Sequence, residues 1–250
     1  MRGRDTDVEW ERFGAVDPYF GVITDPRFHR HNLSPALKAE FFDSGTAHVD
    51  HVLDVVRRHV RAGFAPERVL DFGCGVGRLT IPFARSAREV VGVDVSQSML
   101  DEAARNCAAF GAAGVRLVRG DDRLSSISGK FDMVHSFIVF QHVPVARGMA
   151  ILDRLLERLL PGGVGALHFT YGFHGASGPV RRLVKTWVPG STFLVNALRR
   201  RPLDTPVMQM NAYDMNAILR RLSAHGSTLT HVEHTDHGGA LGAFLFFTGR

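Results

Sequence analysis

Cysteine is scarce in this chain: there are two in 250 residues, Cys74 and Cys107, and they do not stand at metal-ligand spacing. A thiolate metal site is therefore not an organising feature, and a reducing, cytoplasmic compartment is the expectation. Long apolar runs are missing too. No stretch approaches the roughly 18 apolar residues that a membrane-spanning helix needs. Met1-Arg2-Gly3-Arg4-Asp5 leads into acidic and aromatic residues without the apolar centre of a secretory signal. Internal repeats and low-complexity tracts are absent as well. What is present, 45% hydrophobic and 22% charged residues, suffices for one sizeable core. The net charge of +5 is local in origin. Between Phe173 and Met210, Arg181, Arg182, Lys185, Arg199, Arg200 and Arg201 face a single Asp204. Such a cluster suits a phosphate, a carboxylate or an anionic surface, or it is a set of solvated helix faces.

The chain is organised around Val69-Leu70-Asp71-Phe72-Gly73-Cys74-Gly75-Val76-Gly77-Arg78-Leu79. It reads as a short buried strand, a turn with glycines at alternate positions, and a helix from Leu79 to Arg85. Glycine lacks a Cβ, so the turn can adopt left-handed angles and let a ligand press against the main chain. The N–H groups at a helix start then face any anionic group placed there. The dinucleotide fingerprint G-x-G-x-x-G would need a small residue where Arg78 stands, which argues against a dehydrogenase. A second strand, Glu89 to Asp94, ends in an acid 17 residues after Gly77. Ser96 then caps a helix running to about Phe110.

Asp-x-Gly-x-Gly-x-Gly followed by Gly-Val-Asp-Val-Ser-x-x-Met resembles motif I and the next motif of the class I S-adenosylmethionine-dependent methyltransferases. The resemblance implies an α/β fold: a Rossmann-like, seven-stranded, mostly parallel sheet with helices on both faces. It implies S-adenosylmethionine as cofactor, with Asp71, Gly73, Cys74, Gly75, Gly77 and Arg78 among the residues that bind it. Asp94 would take the ribose hydroxyls, with Val95 and Met99 alongside. After strand three (Val115 to Arg119), Gly120 and Asp121 would meet the adenine, with Asp122 as the alternative acid. Strand four, Phe131 to Ser136, and the segment after it resemble the family's motif IV. Ser136, Phe137 and Gln141 would then line both cofactor and acceptor. Leu160-Pro161-Gly162-Gly163 resembles the turn before strand five, Val164 to Tyr171. The likeness covers about residues 66 to 170, and 211 to 250 by strand order alone.

Residues 1–43 form an arm rich in aromatics and prolines, expected to be irregular or to pack as short helices over something apolar, either a lid over the site or a cover for a sheet edge. Residues 44–250 form the cofactor-binding domain, opening on a helix from Gly45 to Ala62 capped by Ser44. An insert at 173–210, carrying the basic cluster and a Trp187/Phe193 stripe, would lie on the acceptor side. A helix from Tyr213 to Leu222 and two strands, Leu229 to Glu233 and Leu241 to Thr248, close the chain, the last strand antiparallel.

Methyl transfer from a sulfonium needs alignment and exclusion of water more than it needs a metal. An alcohol acceptor gains from a general base. His142, just past strand four, is the first candidate because imidazole titrates near neutrality. His168, Tyr171, His174 and His237 are the others, and His135, inside strand four, is expected to be structural. His48 and His51 read as solvated helix residues. His231, His234 and His237 are spaced by three, which does not share one face of a strand of period two, so no metal site is expected. The expected activity is methylation of oxygen, less so nitrogen, on a small molecule or glycan that can be anionic. Nucleic-acid or protein methylation and non-catalytic S-adenosylmethionine binding are the rival readings; no Asn-Pro-Pro-Tyr-like motif follows strand four, and no nucleic-acid partner is expected.

Overall fold

The computed structural model describes residues 6–174 and 208–250. In chain order, α1 (Thr6–Val16) and α2 (Pro18–Val22) precede a 3-10 turn at Pro26–Phe28 and the long helix α3 (Pro35–Val55), which widens into a π-helical turn over Val56–Val60. Then come β1 (Arg68–Phe72), α4 (Thr80–Phe83), β2 (Glu89–Asp94), α5 (Gln97–Ala109), β3 (Val115–Arg119) and β4 (Phe131–Ser136). A 3-10 turn at Phe140–His142 leads to α6 (Val145–Glu157) and β5 (Leu159–Phe173). After the insert, α7 (Met215–Ala224), β6 (Thr228–His237) and β7 (Ala240–Thr248) complete the described chain.

The seven strands lie in the order β3-β2-β1-β4-β5-β7-β6. Pairings from β3 through β5 are parallel; β7 is antiparallel to both β5 and β6. The chain steps outward from β1 to β3, then returns to place β4 on the other side of β1. That reversal opens a crevice at the carboxyl ends of β1 and β4, where open α/β sheets bind ligands. Alternation along each strand divides the core between the two faces. Leu70, Val91, Val134, Leu167, Leu245 and Phe247 pack with α6 and α7. Val69, Val90, Met133, Val164, Phe244 and Phe246 pack with α3 and Phe83.

The amino-terminal part departs from expectation. Helix α3 starts at Pro35, with Ser34 Oγ accepting from Leu37 N. Proline is well suited to a helix's first turn, where its missing N–H costs nothing. Ser44 is therefore mid-helix, its hydroxyl donating to Phe41 O, and the expected boundary at 43/44 falls inside α3. The arm before it packs as short helices over an apolar cluster. Its aromatic residues Phe13, Tyr19 and Phe28 join Phe41, Phe42, Val76, Ile81 and Met99 in a third buried cluster.

Strand five begins at Leu159, five residues before the expected start, and bulges between Phe131 and Met133 of its partner. The final hairpin is longer than expected, turning on Gly238 and Gly239, both at positive φ. Most of the insert at 173–210, with its arginines and the Trp187/Phe193 stripe, lies outside the described residues.

Candidate active site

The glycine turn is fastened to β2. Gly73 N and Cys74 N both donate to Val93 O, at 2.7 and 3.0 Å. Gly75 N donates to Asp94 Oδ2 and Ser96 N to Asp94 Oδ1, each at 2.9 Å. Asp94 thus ends β2 with its carboxylate held by two main-chain donors, one from each neighbouring loop. Burial pushes its pKa up, to about 6, against the opposing pull of those N–H groups. Gly73 (φ 77°) leaves room for Val139 of the loop after β4, whose Cγ2 would lie 2.3 Å from an added Cβ. At Gly75 (φ 52°) the corresponding neighbour is Val22 of α2, at 2.8 Å. Two loops and the arm therefore meet over bare backbone.

Asp71 is buried, accepting from Thr80 Oγ1 at 2.6 Å and lying 2.9 Å from His135 Nδ1. A carboxylate only accepts, so His135 donates there. Both oxygens of Asp71 are engaged inside the fold, where they fix the turn and β4. Arg78 points back under α3. Its Nη1 donates weakly to Ser44 Oγ at 3.3 Å, its Nε is buried without a partner, and burial lowers its pKa to about 10. Gly77 closes the turn, and Cys74 is buried with its thiol pKa raised by burial.

Met99 is buried beneath α2, its N donating to Ser96 Oγ at 3.1 Å; Val95 is half-buried beside Asp94. Gly120 N donates to Asp94 O at 2.9 Å, so the loop after β3 lies beside the carboxylate. Asp121 spends Oδ1 on Arg123 N and Ser125 N, and these bonds hold it below the ordinary carboxylate range. Asp122 pairs with Arg147, which also grips Asp7 of α1.

Past β4, Ser136 Oγ donates to Phe72 O at 2.9 Å. Ile138 has φ 58°, a strained angle for a β-branched residue and a mark of a functional loop. Gln141 is buried, its Oε1 accepting from Thr170 Oγ1 at 2.7 Å and its Nε2 lying 3.1 Å from His142 Nε2. His142 is also buried, with Nδ1 2.8 Å from Gln209 O. A carbonyl only accepts, so Nδ1 carries the proton and Nε2 keeps its lone pair, facing the Gln141 amide. Burial lowers the His142 pKa to about 4, so the ring is neutral at physiological pH.

The arm supplies residues that sequence reasoning did not single out. Glu11 accepts from Ser96 Oγ (2.9 Å), Ser98 Oγ (2.6 Å) and Ser98 N (3.3 Å). Tyr19 OH reaches Glu102 and Asn106 on α5. Thr6 Oγ1 donates to His142 O, and the Trp10 ring lies 5.0 Å from the His142 ring. The arm packs over the loops after β2 and β4. Apolar residues at helical spacing in the arm were the available signal; nothing in the spacing marks Glu11. Among the described residues, no group of three or more His, Cys, Asp or Glu side chains is placed to hold a metal ion, and no helix is long and apolar enough to cross a membrane.

A Rossmann-like sheet with a glycine turn after β1 and an acid ending β2 defines a nucleotide-type crevice at the switch point. Comparison with known proteins narrows that class. Residues 69–163 match the family described as "Methyltransferase domain". A magnesium-protoporphyrin O-methyltransferase of Synechocystis sp. is 34% identical over 87 residues, which is 35% of this chain and 38% of that protein. The match thus spans about two-fifths of that relative's length. A ubiquinone biosynthesis O-methyltransferase of Chelativorans sp. is 29% identical over 197 residues, covering 77% of this chain and 74% of that one. Among solved structures, magnesium protoporphyrin IX methyltransferase from Synechocystis with bound SAH superposes with a TM-score of 0.64 at 21% identity, covering 98% of this chain and 100% of the other. The chain shares the fold of that methyltransferase, and residues 69–163 match the methyltransferase-domain family.

Proposed function

We propose that this protein transfers a methyl group from S-adenosylmethionine to oxygen, less readily nitrogen, of a small molecule in the cytoplasm. The observation that carries the reading is Asp94, held by Gly75 N and Ser96 N beside a turn with no room for a side chain. Its carboxylate suits the two ribose hydroxyls of an adenosyl group. The loop Gly120-Asp121-Asp122 lies next to it and suits the adenine. The guanidinium of Arg78 has no carboxylate within ion-pair distance among the described residues, so it suits the carboxylate of a methionyl moiety. The names of the similar proteins, small-molecule O-methyltransferases, support oxygen over nitrogen.

When bound, S-adenosylmethionine supplies a methyl already activated by its sulfonium. This chain aligns and shields. Glu11, Tyr19 and Trp10 hold the arm over the loops that follow β2 and β4, keeping water from the crevice. The Nε2 lone pair of His142 is the proton acceptor in this reading. For that, the Gln141 amide must give up its contact at 3.1 Å when the acceptor enters. Titration calorimetry with S-adenosylmethionine, followed by a product assay with candidate alcohols, tests the reading; no measurable binding would end it.

A further inference from the structure

Among the described residues, two buried side-chain polar atoms lack a hydrogen-bond partner: Arg78 Nε and His168 Nδ1. Such atoms call for an explanation, because an unpaired buried polar group is costly. His168 is the more informative. It lies in the carboxyl-terminal half of β5 with 1% of its surface exposed. Its Nε2 lies 2.8 Å from Thr235 Oγ1 on β6, and that contact passes over the intervening strand β7. It can do so because Gly242 on β7 has no side chain: an added Cβ would lie 2.3 Å from His168 Nε2 and 2.4 Å from Thr235 Oγ1. The ring is cradled and held by one nitrogen while the other goes unmet.

Around it stand rings. Phe137, the first residue past β4, lies 5.0 Å away by centroid, and His237 lies 5.5 Å away. His48 of α3 sits 4.2 Å from Phe137. Its Nε2 is 3.3 Å from His135 Nε2, and His135 in turn is tied to Asp71. His135 donates through Nδ1, so its Nε2 accepts and His48 donates. Burial lowers the pKa of His168 to about 3 and of His48 to about 2, so both are neutral. His237 is exposed and marks the way out to solvent. The described side chains round His168 are thus uncharged rings and one hydroxyl. They offer aromatic faces and edges. Either tautomer of His168 leaves Nδ1 wanting one bond, as donor or as acceptor. A hydroxyl can satisfy both cases, and a carbonyl or an ammonium only one.

We propose that this cluster is the acceptor subsite, that it takes a planar aromatic alcohol with its ring against Phe137, and that His168 Nδ1 hydrogen-bonds the alcohol oxygen and positions it, proton removal being left to His142. The proposal rests on the methyltransferase reading and names the substrate class for it. The test uses the full chain labelled with 15N-histidine, saturated with S-adenosylhomocysteine, and 2-naphthol as probe. Saturable movement of the His168 ring-nitrogen signals is expected, and decahydro-2-naphthol should bind at least tenfold more weakly. His168→Phe should weaken 2-naphthol at least tenfold and leave S-adenosylhomocysteine affinity within twofold. Gly242→Ala should weaken 2-naphthol as well. The wild-type titration needs no variant, so misfolding of either substitution does not shelter the idea. Binding of 2-naphthol with the His168 signals unmoved, equal affinity in His168→Phe, or no 2-naphthol binding to the cofactor-loaded protein would overturn it, leaving a buried water as the partner of Nδ1. If S-adenosylhomocysteine itself fails to bind, the methyltransferase reading falls, and this proposal with it.

Discussion

The two walls of the crevice are built from different materials. The wall formed by β1, β2 and their loops presents main chain: Gly73, Gly75 and Gly77 at positive φ, with Asp94 pinned by two N–H groups. The wall formed by α3, β5 and the loop after β4 presents side chains: His48, Phe137, His168 and His142, each ring fixed by a neighbour. A backbone wall is specified by what is missing, so it fails when volume is added. A side-chain wall is specified by partners and protonation, so it fails when polarity is changed. The first suits a ligand common to many enzymes; the second is where an individual enzyme differs.

The harshest test of this contrast is Gly75→Val. A β-branched residue at φ 52° is strained, and its Cβ would meet Val22 at 2.8 Å. Calorimetry should find S-adenosylmethionine binding lost, a change on the order of 4 kcal/mol or more. Binding within tenfold of wild type would mean that the turn does not touch the ligand. On the other wall, His142→Ala should lower turnover by roughly 10²–10⁴-fold, the usual yield of a general base, with cofactor affinity nearly unchanged. Normal turnover in a stopped assay would reduce His142 to an anchor for Gln209.

Asp94→Ala should cost roughly 1–3 kcal/mol of cofactor binding, the range for hydrogen bonds to a charged group. A pH series then separates the walls without any mutation. Asp94 has its pKa raised to about 6, so its carboxylate is ionised above that pH and protonated below it. Cofactor affinity should hold above pH 6 and fall as pH drops through it, about tenfold per unit. His142 titrates near 4 and stays neutral across the same window. Turnover at saturating cofactor should therefore be level from pH 5.5 to 8, while kcat/KM for the cofactor declines at the acid end. Parallel declines would assign the titrating group to the acceptor wall.

The contrast also explains what could be read from the residues alone. Strands β1, β2 and β4 lie where apolar runs between turn residues put them, because parallel strands buried on both faces have no alternation to disguise them. That Asp94 ends β2 was legible from the apolar run before it. The partners of Asp71 were not legible: Thr80 and His135 come from α4 and β4, and spacing does not reveal which way a carboxylate turns. Pro35 looked like an obstacle to a helix and was instead its first turn. His48 read as a solvated residue on α3, because only the tertiary fold brings it to His135 and Phe137. The acceptor wall is an assembly of long-range contacts, and no local pattern announces it.

The smallest expected effect concerns the arm, which touches both walls: Glu11 of α1 reaches Ser96 and Ser98, and Trp10 lies on His142. Arg147 holds α1 from below, bridging Asp7 and Asp122 at 2.7 and 2.6 Å. Its side chain is 26% exposed and those of its partners 35% and 43%, so solvent screens both pairs. Arg147→Met keeps much of the aliphatic stem and removes the charge. It should cost about 1 kcal/mol or less in global stability. If the arm is a lid, hydrogen exchange over Thr6–Val16 should quicken several-fold in the free protein and be restored by S-adenosylmethionine, because Glu11 and Trp10 still fasten α1 on the ligand side. Raising salt should produce the same quickening in wild type and little further change in the variant. Exchange in α1 that is indifferent to cofactor would mean that the arm is a fixed cover, joined to both walls and moving with neither.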